Sequence, residues 1–150
     1  MSRLNLDDFL PYRLSVLSNT VSRALARLYQ QRFGLSIPEW RVMAILGSAS
    51  GLTALQVVER SAMDKVAVSR AVARLVARGL IVATGDDSDR RRRRLALTTD
   101  GKAMYDEIVP LALDYERGLL ERLDDNDRKA LDQMLRGMQK RAGELLNVRR

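Results

Sequence analysis

The side chains of this chain that could do chemistry on a ligand are mostly cations. It has no His and no Cys, which removes the commonest general base and metal ligand, thiolate sites, disulfides and thiol redox sensing. In their place stand Lys65, Arg70, Arg74 and Arg78, then the unbroken run Arg90-Arg91-Arg92-Arg93-Arg94. Residues 53–98 carry ten Lys/Arg against five acids, whereas residues 99–150 are slightly acidic. Clustered cations bind polyphosphate by releasing condensed counterions, so the chemistry implied is salt-sensitive binding of a polyanion. The alternative is a merely solvated charged surface.

The elements that must position these cations can be read from periodicity and end signals. Leu10, Leu14, Leu17, Val21, Leu25 and Leu28 recur in steps of three or four, predicting a helix over about residues 7–33 that Gly34 ends. Ser36, Pro38 and Glu39 start a second helix through a capping box, and it stops before Ser50-Gly51. Thr53 caps a short third helix through Arg60, and Ser61-Ala62-Met63 turns into a fourth that Gly79 closes. Leu80-Ile81-Val82-Ala83-Thr84 and Arg94-Leu95-Ala96-Leu97-Thr98 suit two strands, reversed by the turn Gly85-Asp86-Asp87-Ser88-Asp89. Thr98 caps a fifth helix with Ile108, Leu111, Ala112, Tyr115, Leu119 and Leu123 on one face. After the polar break at residues 124–127, a sixth carries Leu131, Met134, Leu135, Met138, Ala142 and Leu145.

A cationic helix followed by a cationic loop between two strands is the layout of a winged helix-turn-helix, which offers one element to each groove of duplex DNA. The expected fold class is mainly α with a small β-hairpin and six helices. Residues 35–98 form the winged DNA-binding domain, and residues 1–34 and 99–150 form dimerisation helices. Those outer helices are long and amphipathic, with more apolar surface than the small central domain can cover, which predicts a two-fold homodimer. Such a dimer holds its recognition helices roughly 34 Å apart on a near-palindromic site. No run approaches a membrane-spanning length and no signal-peptide pattern opens the chain, so a cytoplasmic protein is expected, without cofactor or membrane partner.

The stretch from Asp64 to Gly79, followed by Asp89-Arg90-Arg91 and Leu95-Ala96-Leu97-Thr98-Thr99-Asp100-Gly101, resembles the MarR family of transcription regulators. The wing motif of that family reads roughly D-x-D-R-R-x-x-x-L-x-L-T-x-x-G. Its usual wing-turn proline is absent here, with Asp87-Ser88 in its place. The resemblance implies a dimeric repressor that leaves its operator when a small aromatic anion enters a cleft between the DNA-binding and dimer-forming parts. It implies that Lys65, Ser69, Arg70 and Arg74 face the major groove or its phosphates, with Arg70 the favoured reader of a guanine edge. Thr53 and Ser61 would contact phosphate, and Arg90, Arg91 and Arg92 would serve the wing, Arg91 in the minor groove. Asp89 would orient arginines as an ion-pair partner.

Several of these roles have structural rivals. Arg74 and Arg78 could neutralise the C-terminus of their own helix, which is the favoured role for Arg78. Arg92, Arg93 and Arg94 should alternate across a strand, so not all reach DNA. Trp40 is read first as a core residue and second as a pocket wall.

A narrower likeness, in Leu10-Pro11-Tyr12-Arg13-Leu14-Ser15 and Ile37-Pro38-Glu39-Trp40-Arg41-Val42, is to members that respond to hydroxycinnamates or their coenzyme A thioesters. It makes Tyr12, Arg13, Asn19, Trp40 and Arg41 the effector-binding candidates, with Arg13, Arg23 or Arg41 for the phosphates of a coenzyme A ligand. Two other classes stand against this reading. One is an architectural, nonspecific DNA binder. The other is an enzyme holding Mg²⁺ on Asp86, Asp87 and Asp89, which five adjacent arginines oppose.

Overall fold

The N-terminal caps fall where local chemistry places them. In the computed structural model, which describes residues 2–85 and 88–148 and for Arg90 only the backbone, Ser36 and Glu39 form a reciprocal box. The Glu39 N–H donates to Ser36 Oγ at 3.3 Å, and the Ser36 N–H donates to Glu39 Oε2 at 3.0 Å. They open helix α2, Ile37–Ser48. Helix α1, Leu10–Phe33, begins a turn later than its periodicity suggests. A separate 3-10 turn, Leu6–Asp8, precedes it, and Pro11 sits in the first turn of α1, where its missing N–H costs nothing. Gly34 ends α1 in the left-handed conformation, φ 64°.

Thr53 and Gln56 build a second capping box, opening α3, Ala54–Ser61. Asp64 Oδ1 accepts from the Ala67 N–H at 2.8 Å and opens α4, Lys65–Ala77. The expected hairpin is present as β2, Ile81–Thr84, and β3, Arg94–Leu97, but the sheet has a third strand. Strand β1, Leu52–Thr53, pairs antiparallel with β3, Leu52 opposite Leu95, giving the order β1-β3-β2. At two residues β1 is too short to show alternation.

Thr98 Oγ1 accepts from the Gly101 N–H at 3.0 Å and donates to Gly79 O at 2.6 Å, so the residue that caps α5, Thr99–Leu119, also ties it to the end of α4. Gly101 is buried against Leu80, where a Cβ would lie 2.0 Å from the carbonyl oxygen. Six α-helices and this sheet among the described residues match the expected class.

The chain divides into two compact units, residues 1–111 and 112–150. In the first, Val42, Met43, Val57, Val68, Leu75 and Ile108 are fully buried in one apolar core that unites α2, α3, α4 and the start of α5. In the second, a capping box of Asp124 and Asp127 opens α6, Asp125–Asn147. Arg128 crosses the preceding turn to bond the carbonyls of Leu120 and Leu123. No helix among the described residues is long and apolar enough to cross a membrane.

Candidate nucleic-acid interface

Burial sorts the residues of α4 into two faces. Val68, Ala71 and Leu75 turn into the core, which forces Lys65, Val66, Ser69, Arg70, Ala73 and Arg74 outward. The turn before α4 is held by Ser61, which is buried. Its Oγ donates to Val58 O at 3.0 Å and accepts from the Met63 N–H at 3.2 Å. That hydroxyl shapes the α3–α4 turn, with Ala62 left-handed at φ 54°, and both of its bonds are internal. Thr53 Oγ1 accepts from the Gln56 N–H at 3.3 Å, which leaves its hydroxyl proton as a donor.

Thr53, Lys65, Ser69 and Arg91 line one groove of about 400 Å³, whose walls include Leu55 and Val72. The structure thus brings together residues from the start of α3, from α4 and from the wing. Arg70 and Arg74 are exposed further along α4. Val66, 58 % exposed, and Leu55, 64 % exposed, lie on these same elements and were not singled out from the sequence. An apolar residue left in solvent on a helix of this kind is their only signal.

The wing arginines do not alternate from the start of their run. Arg90–Arg92 is a 3-10 turn, and the strand begins only at Arg94. Asp89 imposes the turn: its Oδ1 accepts from the Arg91 N–H at 3.0 Å, its carbonyl accepts from the Arg92 N–H at 3.1 Å, and its carboxylate lies 3.6 Å from Arg92 Nε. The expected ion-pair role of Asp89 is therefore seen with Arg92. Arg94 donates to Gly51 O at 2.9 Å, which holds β1 to β3.

Two arginines of α4 and its C-cap meet other parts of the chain. Arg78 Nη1 donates to Gly34 O at 3.1 Å and Nη2 to Phe33 O at 2.9 Å, so it neutralises the C-terminus of α1 and not that of its own helix. Arg74 Nη1 lies 3.8 Å from Glu39 Oε1, while its side chain remains largely exposed.

The effector candidates fall into separate places. Tyr12 and Arg13 share a shallow groove of about 350 Å³ on the first turns of α1 with Val16 and Thr20, and Asn19 is exposed on the same helix. Trp40 is half-buried between Tyr29, at a ring-centroid distance of 4.8 Å, and Tyr105, at 6.2 Å, while Arg41 is half-buried on α2. Tyr29 is buried with no hydrogen-bond partner for its hydroxyl among the described residues, and burial pushes its pKa up to about 12. A groove of about 720 Å³ unforeseen from sequence lies between α2 and α5, lined in part by Leu46, Thr98, Lys102 and Tyr105. Among the described residues no group of three or more His, Cys, Asp or Glu could hold a metal. Asp86 and Asp87, two of the three carboxylates considered for Mg²⁺, lie outside the described residues.

An exposed cationic helix behind a tight turn, flanked by a cationic wing, defines a winged helix-turn-helix DNA-binding regulator. A family model described as MarR family matches residues 33–92. Over 130 residues the chain is 25 % identical to the transcriptional regulator HosA of Escherichia coli, covering 81 % of this chain and 96 % of that one. The fold is similar to the crystal structure of a MarR/EmrR family transcriptional regulator from Acinetobacter sp. ADP1, with a TM-score of 0.86 and 27 % identity over 94 % of this chain and 99 % of that one. It is also similar to BpsR of Bordetella bronchiseptica, whose DNA binding is regulated by 6-hydroxynicotinic acid, with a TM-score of 0.72 and 27 % identity over 85 % of this chain and 98 % of the other. The chain is thus similar to MarR family transcriptional regulators along most of its length, and its residues 33–92 match that family's model.

Proposed function

We propose that this chain is a repressor that binds a near-palindromic operator as a two-fold homodimer and leaves it when a small aromatic anion binds. The observation that carries the DNA reading is the joining of Thr53, Lys65, Ser69 and Arg91 around one groove, with Arg70 exposed on the same helix. In this reading α4 enters the major groove, where Arg70 bonds guanine O6 and N7 together and Val66 suits a thymine methyl. Arg74 reaches a neighbouring phosphate. The wing, with Arg90, Arg91 and Arg92, takes the adjacent minor groove and its phosphates. Ser61 acts through the turn it holds.

The division into a winged domain, residues 35–98, and dimerisation helices, residues 1–34 and 99–150, is supported by apolar side chains left in solvent on the outer helices. Leu10, Leu14 and Leu17 on α1 are exposed, as are Met134, Leu135 and Leu145 on α6. The effector reading rests on BpsR as a relative and on grooves that combine an aromatic ring with a cation, Tyr12 with Arg13 and Tyr105 with Lys102. A free hydroxycinnamate needs only one such groove. A coenzyme A thioester adds phosphates that Arg13, Arg23 or Arg41 would meet.

Selection of bound duplexes from a random library tests the DNA reading. A two-half site preferred by about 10³ or more over random duplex is expected, and a library left unenriched makes the protein a nonspecific binder. Arg70→Ala should then weaken specific binding by about 1–3 kcal/mol and relax one base position, and a mutant with unchanged specificity would turn α4 the other way. Titrating free aromatic acids and acyl thioesters against the complex identifies the releasing class.

A further inference from the structure

Apolar packing of Val68, Ala71 and Leu75 attaches α4 to the core but is non-directional, so it fixes the depth of the helix better than its tilt. Direction comes from the far end. The last carbonyls of α1 have no helical donor and sit at the negative pole of that helix. Two of them, Phe33 O and Gly34 O, are gripped by the forked guanidinium of Arg78 at 2.9 and 3.1 Å. A second strut runs beside it. Glu39, its side chain 7 % exposed and held by the Ser36 N–H, offers its other oxygen to Arg74 at 3.8 Å. The end of α4 away from Lys65 and Ser69 is thereby referred to the α1–α2 junction.

We propose that Arg78 is a positioning residue for DNA recognition: its clamp on Phe33 and Gly34 sets the angle of α4 against α1 and so the separation of the two recognition helices in the dimer. This rests on the reading above, in which α4 enters the groove and α1 belongs to the dimerisation region. Thirteen residues of α4 span roughly 20 Å, so a small change of angle at Arg78 becomes a displacement at Lys65 comparable to a base-pair step. The guanidinium is committed to α1 and makes no contact with DNA.

The test uses Arg78→Met, which keeps the aliphatic stem, and Arg78→Lys, which keeps the charge without the fork. Each is bound to the duplex that wild type selects and to versions with the half-site spacing changed by one base pair. Wild type should discriminate sharply among these. Loss of a cation from a helix C-terminus is worth about two- to fivefold per protomer, so Arg78→Met should lower the preference for native spacing by roughly 4- to 25-fold over two protomers. Its salt slope should equal that of wild type, and Arg78→Lys should fall between. Unchanged spacing preference in Arg78→Met overturns the clamp, even if overall affinity falls. A salt slope reduced by about 1 also overturns it, making Arg78 a phosphate contact. If wild type selects no two-half duplex, the DNA reading itself fails and takes the clamp with it.

Discussion

At the scale of single residues, the arginines of this chain divide by what their guanidinium groups already touch. Their number and clustering are legible in the sequence, and so is a local partner such as Asp89 for Arg92. A partner 44 or 45 residues away is not. Arg78 meets the carbonyls of Gly34 and Phe33, and every residue has a carbonyl, so nothing at those positions marks them as acceptors. Trp40 illustrates the same limit: its core-like character was readable, its sandwiching by Tyr29 and Tyr105 was not. Tyr29 yields a test. Its hydroxyl is buried without a partner among the described residues, and an unmet buried hydroxyl costs about 1–3 kcal/mol. Tyr29→Phe should therefore unfold at equal or higher denaturant concentration at neutral pH. The folded-state pKa is raised from 10.0 to about 12, so the folded protein holds this proton more tightly than the unfolded chain does. Folding stability is therefore independent of this proton below about pH 10 and falls as pH rises from there toward 12, where the unfolded chain ionises first. The phenylalanine variant should lack that alkaline loss. Marked destabilisation at neutral pH would mean that the hydroxyl has a polar partner after all.

At the scale of elements, the caps were readable because they are written within four residues of chain. Ser36 with Glu39, Thr53 and Thr98 all bond as their spacing suggests. Strand β1 was not readable, since only its pairing with β3 makes Leu52 and Thr53 a strand. Pro110 inside α5 is a similar case: it removes one donor, yet the helix continues through it to Leu119. Gly101 shows how tightly the start of α5 is set. A Cβ there would approach Leu80 O at 2.0 Å and Leu80 C at 2.9 Å, both backbone atoms that no rotamer change can move. Gly101→Ala gains about 1 kcal/mol of helix propensity but overpacks this contact at a cost of about 3 kcal/mol, for a net loss of about 2 kcal/mol. The expected readout is a melting temperature several degrees lower. A melting temperature at or above that of wild type would show that α5 can lift from Leu80 without cost.

At the scale of the whole molecule, the first unit has a closed core while the outer helices keep apolar side chains in water. Single exposed leucines are ordinary, but Met134, Leu135, Met138 and Leu145 follow one another at helical spacing along α6. In the homodimer proposed above a second copy would bury that stripe, as expected for a long amphipathic helix with more apolar surface than its own chain covers. A charge placed in it should separate the copies. Leu135→Glu is expected to sediment as a monomer at micromolar concentration while its winged domain stays folded, because Leu135 is exposed within the single chain and Val68 and Leu75 are not. Two half-sites bound by unlinked protomers lose the gain from effective concentration, so affinity for the full operator should fall by roughly 10² to 10⁴, whereas affinity for an isolated half-site should hold. A variant that sediments as a dimer with full operator affinity moves the interface off α6, and the exposed leucines of α1 then become the surface to charge next.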